Sequence, residues 1–330
     1  MRIALVETPA GPFRLAEAPI PSPKTGEVLV RIHASGVNPL DAKIRAGAAP
    51  HAQHPLPAVL GLDLAGVVAA VGTDVDTFAE GDEVYGMTGG VGGLQGSLAE
   101  YAAVDARLLA PKPRGFSMRE AAVSPLIFIT AWEGLVDRAH VEAGQRVLIQ
   151  GGAGGVGHVA IQIARARGAK VFATASAAHA SLVERLGATA IDYRTTTVED
   201  YVDRCTAGEG FDLVYDTVGG EVLDASFQAV KRFGHVVSCL GWGIHKLAPL
   251  SLKAATYSGV FTLLPLLTGI GREHHGEIMR RATELADSGH FAPLLDQRRF
   301  TLETVEAAHA AMSDGGDAGK IAIDLVRAEQ

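Results

Sequence analysis

The most restrictive feature of the sequence is a run of glycines between two apolar segments of different periodicity. Residues 150–157 read Gln-Gly-Gly-Ala-Gly-Gly-Val-Gly and follow the continuous apolar segment Arg146–Gln150. From Val156 onward, apolar residues recur at helical spacing. A strand that turns through glycines into a helix brings backbone N–H groups and the positive end of the helix dipole to one point, which suits a pyrophosphate. The pattern predicts a dinucleotide-binding α/β domain.

The glycines of this turn have distinct expected tasks. They permit a tight turn and close approach of the backbone to a ligand, and the missing side chain of Gly157 lets the helix pack closely on the strand. The predicted cofactor contacts in the turn are Gly151, Ala153, Gly154, Gly155, Val156 and Gly157.

Short apolar segments alternate with helical ones after the turn, whereas the first part of the chain is rich in strands and turns. Fully apolar strands that are separated by helices predict a parallel, doubly wound sheet. We expect domains at residues 1–124, 125–265 and 266–330, the last returning to the first. Further expected elements are a helix over Met118–Asp137, a last sheet strand over Gly259–Leu264 and a closing strand over Lys320–Val326.

Bulk properties exclude several classes of protein. The formal net charge of −8 disfavours a nucleic-acid partner. Cys205 and Cys239 are the only cysteines, too few for a disulfide framework, and we expect reduced thiols. The apolar run Gly259–Leu267 is too short to span a membrane, and the N-terminus lacks a signal-peptide pattern. A cytoplasmic protein is expected.

Several segments resemble one known family over nearly the whole chain. Gly144–Arg165 closely resembles the signature of the quinone oxidoreductase/zeta-crystallin family, which belongs to the medium-chain dehydrogenase/reductase superfamily; Gly152 departs from it, because the family usually has Ser or Ala there. Gly36–Gly47, Val59–Gly72 and Gly319–Ile323 resemble other parts of the same family. The resemblance implies an α/β protein with a GroES-like β-rich catalytic domain and a Rossmann domain.

The end of the second strand of the nucleotide domain bears on cofactor choice. NAD enzymes typically carry an acid there, whereas this strand ends Ala173-Thr-Ala-Ser176, which favours NADP(H). The resemblance places Ser176 at the 2′-phosphate position and makes Tyr193 and Arg194 a further part of that pocket. His179 stands near the place where the family often has a lysine. This replacement would make the affinity for the phosphate weaker or pH-dependent. Ser176 as a simple helix cap and Arg194 as a solvated residue are the alternatives.

Zinc ligands that relatives in the superfamily use are missing from this sequence. Zinc needs N and S ligands in a tetrahedral array. Val37-Asn38-Pro39 and Leu62-Asp63 stand where zinc relatives carry Cys and a His-Glu pair. We expect no metal site.

The reacting end is assigned by resemblance. It implies that Asn38 lies beside the nicotinamide and the substrate, and that Lys43 replaces a tyrosine of many relatives. Asn38 and Lys43 are therefore the candidate catalytic residues, although Lys43 could equally point to solvent. The resemblance adds further cofactor contacts besides Asn38: Thr130, Gly241, Trp242 and Lys320.

The expected function is hydride transfer from NADPH to a quinone or an electron-poor C=C bond (enone or alkenal), without zinc, in a cleft between the domains. An enoyl-thioester reductase of the same fold remains an alternative, as does a nucleotide-sensing or RNA-binding crystallin-type protein with little turnover. A homodimer is also expected, because strand Gly259–Leu264 would expose an unpaired edge, which relatives commonly join to a second copy.

Overall fold

The protein, seen here in a computed structural model, is described over residues 1–313 and 319–326. The chain divides into two units. One unit consists of Met1–Leu126 and the described residues from Leu263 onward, and the other is Ile127–Thr262.

Strands and helices alternate most regularly in the middle of the chain. The strands are β1 (Arg2–Val6), β2 (Phe13–Glu17), β3 (Glu27–Gly36), β4 (Ala58–Val59), β5 (Asp63–Val71), β6 (Glu83–Met87), β7 (Tyr101–Asp105), β8 (Ala110–Pro111), β9 (Arg146–Gln150), β10 (Lys170–Ala175), β11 (Thr189–Asp192), β12 (Phe211–Asp216), β13 (Val230–Ser238), β14 (Thr256–Gly259), β15 (Phe300–Thr301) and β16 (Ala322–Asp324). The α-helices are α1 (Pro39–Arg45), α2 (Met118–Ala122), α3 (Pro125–Trp132), α4 (Gly155–Ala166), α5 (Ala180–Arg185), α6 (Val198–Thr206), α7 (Glu221–Ala229), α8 (Ala248–Leu252), α9 (Leu264–Thr268), α10 (Arg272–Asp287) and α11 (Val305–Ser313). Short 3-10 helices cover Pro50–Ala52, Ala106–Leu108, Ala177–His179 and Leu302–Thr304, and a π-helix covers Glu133–Arg138.

The unit Ile127–Thr262 is built on a parallel sheet. Its strand order is β11-β10-β9-β12-β13-β14, and every neighbouring pair is parallel. The chain therefore winds outward in one direction from β9 to β11 and in the other from β12 to β14. The predicted doubly wound parallel sheet is confirmed, and its ligand crevice is expected at the carboxyl ends of β9 and β12.

The other unit is dominated by antiparallel strands. One sheet has the order β2-β1-β4, and the larger has the order β15-β16-β3-β5-β6-β8, with β7 also paired to β3. Strand β3 is the centre of the larger sheet, because β5, β7 and β16 all pair with it in antiparallel register. The predicted β-rich, GroES-like domain is confirmed.

The predicted strand Gly259–Leu264 is wrong. The last strand, β14, ends at Gly259, and α9 begins at Leu264 with Pro265 in its first turn. Within the run, the buried apolar side chains are Val260, Leu263 and Leu266, three residues apart, which is closer to helical than to strand periodicity. The sheet edge is therefore formed by Thr256–Gly259.

Two other predicted elements are shorter or divided. The helix over Met118–Asp137 is interrupted before Pro125, which has no N–H and disfavours helical backbone at the preceding residue. The closing strand is reduced to β16, and Lys320 before it forms only an isolated bridge with Leu295.

Aromatic packing supports the parallel-sheet unit, and it can be tested by one substitution. Phe211 is fully buried, and its ring centroid lies 5.4 Å from that of Phe172 and 6.2 Å from that of Tyr201. Because truncation would leave a cavity, Phe211→Ala should lower the free energy of unfolding by about 3–5 kcal/mol. Urea unfolding followed by tryptophan fluorescence would measure it, since both tryptophans of the chain lie in this unit.

The matched control for this substitution is Phe233→Ala, because Phe233 lies in the same unit and is 82% exposed. It should change the unfolding free energy by less than about 0.5 kcal/mol. Equal losses in the two variants would contradict the assignment of Phe211 to the core.

Candidate active site

The glycine-rich turn begins at the carboxyl end of β9 and is held by the neighbouring strand β10. The N–H of Gly151 donates to Thr174 Oγ1 at 3.0 Å, and the N–H of Gly152 donates to the Thr174 carbonyl at 2.8 Å. The Thr174 hydroxyl in turn donates to Gln150 Oε1 at 2.8 Å. These bonds hold the start of the turn against the sheet.

Two glycines of the turn are required by close contacts. A Cβ at Gly157 would lie 2.1 Å from the Gly151 carbonyl oxygen, so a side chain there would push helix α4 off the strand. A Cβ at Gly152 would lie 2.6 Å from Ala173 Cβ. The departure of Gly152 from the family pattern therefore has a local cause, because Ser or Ala would overlap this neighbour.

Helix α4 begins without a side-chain cap. Its N-cap is Gly154, which has no side chain that could accept a hydrogen bond from the first turn. The first N–H groups of a helix need acceptors, and together with the helix dipole they attract an anion. An exposed Gly154 leaves the approach open. The turn from Gly151 to Gly157 thus has the donors and the space that a pyrophosphate requires.

Polar, basic and acidic side chains gather where β10 and β11 end side by side, with Ala175 opposite Asp192, whose Oδ1 accepts the backbone N–H of Arg194 at 3.0 Å. The Ser176 hydroxyl lies 3.0 Å from His179 Nδ1. Ser176 occupies a cap position, but its side chain makes no capping bond, so the simple capping role is not what the structure shows. Tyr193 and Arg194 are exposed, and the Arg194 guanidinium lies 5.7 Å from the Tyr193 ring centroid.

The remaining predicted contacts of this unit lie in α3 and after β13. The Thr130 hydroxyl is buried and lies 3.2 Å from that of Thr262, and the Thr130 carbonyl accepts a hydrogen bond from Tyr215 at 2.7 Å. Gly241 follows β13, where a Cβ would lie 2.1 Å from the Tyr257 hydroxyl. Trp242 is largely exposed.

In the β-rich unit, Asn38 stands at the N-terminus of α1. Pro39 begins the helix, and the backbone N–H of Asn38 donates to Asp41 Oδ2 at 2.8 Å, one half of a capping box. The preceding Gly36 is packed tightly, since a Cβ there would lie 2.4 Å from the Ala122 carbonyl oxygen. The backbone at Asn38 is therefore fixed from both sides.

The side-chain amide of Asn38 is fully buried between two charged groups. Its Nδ2 donates to Asp63 Oδ2 at 2.9 Å, and its Oδ1 accepts from Lys320 Nζ at 2.5 Å. Lys320 Nζ also donates to the Val37 carbonyl at 2.8 Å, and the backbone N–H of Leu126 donates to Asp63 Oδ1 at 3.0 Å. The predicted role of Lys320 as a direct cofactor contact gains no support from these bonds, which all lie within its own unit.

Burial controls the ionisation of this cluster. Loss of hydration raises the pKa of Asp63 to about 7, against the opposing effects of the Asn38 hydrogen bond and the Lys320 charge. Burial likewise raises the pKa of Asp41 to about 7, and it lowers the pKa of Lys320. Two carboxyl groups and one ammonium share this interior, so a proton on either carboxyl makes the cluster neutral.

Lys43 is separated from this cluster. It is exposed, and its ammonium makes no hydrogen bond or ion pair with any residue that the structure describes. Lys43 follows the buried Asp41 by two residues, about 200° around α1, so it lies on the opposite side of the helix. The structure therefore brings Asn38 together with Lys320 but not with Lys43.

Asp63 and Thr174 are the site residues that sequence reasoning missed. Asp63 enters the sequence comparison only as a residue that stands where zinc relatives carry a ligand. An acid within the apolar run Leu60–Val71, however, already indicates a buried carboxyl group that needs a polar partner. Thr174 is a hydroxyl at the carboxyl end of a buried strand, next to the predicted turn. Polar residues in apolar segments were the available signal for both.

Comparison with known proteins agrees with this geometry. The family model for the alcohol dehydrogenase GroES-like domain matches residues 24–114, and the model for zinc-binding dehydrogenases matches residues 186–323. A 2-methylene-furan-3-one reductase from Solanum lycopersicum is 37% identical over 92% of this chain and 73% of its own length. The chain belongs to the quinone/alkenal oxidoreductase-like family of the medium-chain dehydrogenases/reductases. The predicted family is confirmed.

Two further relatives support membership in this family. A chloroplastic NADPH-dependent alkenal/one oxidoreductase from Arabidopsis thaliana is 36% identical over 92% of this chain and 73% of its own length. The crystal structure of an alcohol dehydrogenase superfamily protein from Novosphingobium aromaticivorans is 63% identical, with a TM-score of 0.97, over 99% of this chain and 100% of that one.

One of the matching family models describes zinc-binding dehydrogenases, so the absence of zinc from this protein stays a prediction. Among residues 1–313 and 319–326, no group of three or more His, Cys, Asp or Glu side chains could hold a metal ion. The same residues include no helix with the length and apolar character needed to cross a bilayer.

Asp41 offers a test of the buried cluster through the pH dependence of stability. The pKa of Asp41 is about 7 in the folded protein and about 4 in an unfolded chain. The contribution of the protonated carboxyl group to the free energy of unfolding is therefore complete below about pH 4 and is lost as the pH rises through 7. Relative to Asp41→Asn, the wild-type free energy of unfolding should therefore fall between about pH 4 and 7, by up to about 4 kcal/mol. Urea unfolding at a series of pH values measures this.

The control for Asp41→Asn is Asp76→Asn, because Asp76 is exposed in the same unit. Its pH dependence should follow the wild type. A difference between wild type and Asp41→Asn that stays constant from pH 4 to 7 would show that Asp41 is ionised throughout.

Proposed function

We propose that the chain is an NADPH-dependent reductase that passes a hydride to the electron-poor C=C bond of an enone or alkenal, or to a quinone. The observation that carries the proposal is the uncapped start of α4 at the carboxyl edge of a parallel sheet, with Ser176, His179 and Arg194 at the ends of the adjacent strands. The names of the relatives, an alkenal/one oxidoreductase and a furanone reductase, support the substrate class.

The parallel-sheet unit would hold the cofactor. The turn from Gly151 to Gly157 would bind the pyrophosphate through backbone N–H groups. Ser176 can donate a hydroxyl hydrogen bond to a 2′-phosphate, and the exposed Arg194 guanidinium can add charge. No acid stands at the end of β10 to repel that phosphate. NADPH is therefore favoured over NADH.

Arg194→Ala tests this selectivity. Because a charge-assisted hydrogen bond to phosphate is lost, the Kd for NADPH should rise about 10–100-fold, whereas the Kd for NADH should change little. Fluorescence titration of both nucleotides measures the two values. Arg232→Ala, an exposed arginine in the same unit near the start of β13, should change neither Kd. Equal weakening of NADPH and NADH would refute the 2′-phosphate role.

The β-rich unit would act on the substrate through Asn38. Bound NADPH supplies the hydride that is added to the electron-poor carbon. The electron pair moves onto the substrate oxygen, which becomes an enolate or phenolate oxyanion, and a proton from solvent completes the reduction. One N–H of the Asn38 amide is not taken by Asp63, and it would donate to that oxygen once the substrate reaches the buried side chain.

Asn38→Ala should slow hydride transfer by about 10²–10³-fold while leaving the Kd for NADPH nearly unchanged, because a donor to the developing oxyanion is removed. Single-turnover kinetics with C4-deuterated NADPH measures the transfer step. Lys43→Ala should have a smaller effect, because water can replace an exposed ammonium as proton source. Lys24→Ala, at an exposed position of the same unit, serves as control. Unchanged transfer in Asn38→Ala would remove Asn38 from the chemistry.

The proposal as a whole is tested by consumption of NADPH and NADH against a panel of alkenals, enones, quinones and enoyl thioesters. Turnover of alkenals, enones or quinones with NADPH is the expected result. Turnover confined to enoyl thioesters would favour the alternative reductase. Nucleotide binding without turnover, together with retention on RNA at low salt, would favour a crystallin-type protein.

We also propose that the protein is a cytoplasmic homodimer, with the pairing edge at β14 instead of Gly259–Leu264. In the described part of the chain β14 pairs only with β13, and Tyr257 on this strand is partly exposed. A second copy could extend the sheet there. Light scattering at micromolar concentration should give the mass of a dimer; a monomer would count against the proposal.

A further inference from the structure

Asn38 is the only asparagine among the 330 residues of the chain, and its amide lies between an acid and a base. We propose that Asp63 and Lys320 are positioning residues that hold this amide in one orientation, so that a single N–H is directed to a ligand. The catalytic consequence rests on the proposed function, but the orientation itself does not.

The hydrogen-bonding partners define which end of the amide is which. A carboxylate can only accept, and an ammonium can only donate. Asp63 Oδ2 therefore has to face the amide NH2, and Lys320 Nζ has to face the amide oxygen, as the distances of 2.9 and 2.5 Å show. A flipped amide would place its oxygen against the carboxylate and its NH2 against the ammonium, and both bonds would be lost.

Burial makes the flipped state more costly. Asn38 and Asp63 are fully buried and Lys320 is nearly so, so water cannot replace a lost partner. Hydrogen bonds to charged groups are also stronger than those between neutral groups. The same burial means that removal of either charged partner leaves the other without compensation.

Both positioning residues are themselves anchored. Asp63 begins β5, where it is paired with Gly36 of β3, and its second oxygen accepts the Leu126 N–H at 3.0 Å. Lys320 holds the Val37 carbonyl at 2.8 Å. The backbone of Asn38 and both ends of its side chain are thus attached to separate segments of one unit.

Beyond the bond to Asp63, one N–H of the Asn38 amide remains. The N–H is the only hydrogen-bond donor that the side chain can offer to a ligand. Its direction is set by Asp63 and Lys320, and no contact of the ligand with either residue is needed.

Selective labelling with ¹⁵N-asparagine gives a direct test, because the full-length protein then yields one side-chain NH2 pair that needs no assignment. In the wild type, the two protons should differ in chemical shift and exchange slowly with water. In Lys320→Met the pair should shift, and exchange should accelerate by at least about 10-fold because the amide becomes mobile. Lys24→Met should leave the pair unchanged.

A second variant covers the case in which Lys320→Met does not fold. Asp63→Leu/Lys320→Met removes both buried charges together, so neither is left unpaired, and it adds no second asparagine to the labelled spectrum. Its amide pair should also shift and exchange faster. If the signals of Lys320→Met, or of the double variant where Lys320→Met does not fold, match those of the wild type, the positioning inference is overturned.

Kinetics then separates positioning from a general structural effect. Lys320→Met should slow hydride transfer about 10–100-fold with little change in the Kd for NADPH, and Asn38→Ala/Lys320→Met should be no slower than Asn38→Ala alone. Additive losses would overturn the inference that Lys320 acts through Asn38. If Asn38→Ala does not affect transfer while the amide signals of Lys320→Met still move, the proposed role of Asn38 in the chemistry fails and the positioning inference stands.

Discussion

The close contact between the backbone at Gly151 and the first turn of α4 is the constraint on which the parallel-sheet unit depends. With 2.1 Å from an added Cβ at Gly157 to the Gly151 oxygen, no other residue lets the helix start so near the end of β9. The position of the helix start determines where its unsatisfied N–H groups point. Since this unit is wound outward from β9 and β12, those groups lie at the edge where the polar ends of the neighbouring strands also meet. One steric requirement therefore gathers unsatisfied backbone donors at one point without any charged side chain.

The β-rich unit solves the opposite problem, because it keeps charged groups in its interior. Burial of Asp63 and Lys320 costs free energy that their mutual attraction does not reliably return, and apolar side chains of similar volume often give equal or greater stability. The cluster is thus poorly explained as a source of stability. What apolar residues could not supply is a donor held in one direction. On the proposed function, the arrangement around Asn38 serves the chemistry at some expense of stability.

Those parts of the fold that depend on local sequence could be predicted, and those that depend on distant contacts could not. The glycine turn and its helix are specified within about 20 residues. The structure shows the predicted succession of strand, turn and helix, and the strand lies in a parallel sheet as predicted. The surroundings of Asn38 are not local, since Asp63 is 25 and Lys320 is 282 residues away along the chain. The apolar run after Gly259 was ambiguous for another reason, because a continuous apolar segment has no periodicity that separates strand from helix.

The segment Asn38–Lys43 shows why a family resemblance can assign a region better than an individual side chain. Asp41 and Ile44 are the buried residues of the short helix α1, so its inward face is already filled. Asn38 stands before the helix, at a cap position whose backbone and side chain are both held. Lys43 lies on the outward face of α1. A side chain there is exposed to solvent, so the fold accommodates lysine as well as the tyrosine of many relatives. A role for position 43 would therefore have to come from the substrate that it meets, whereas the orientation of the Asn38 side chain is already determined by the protein around it.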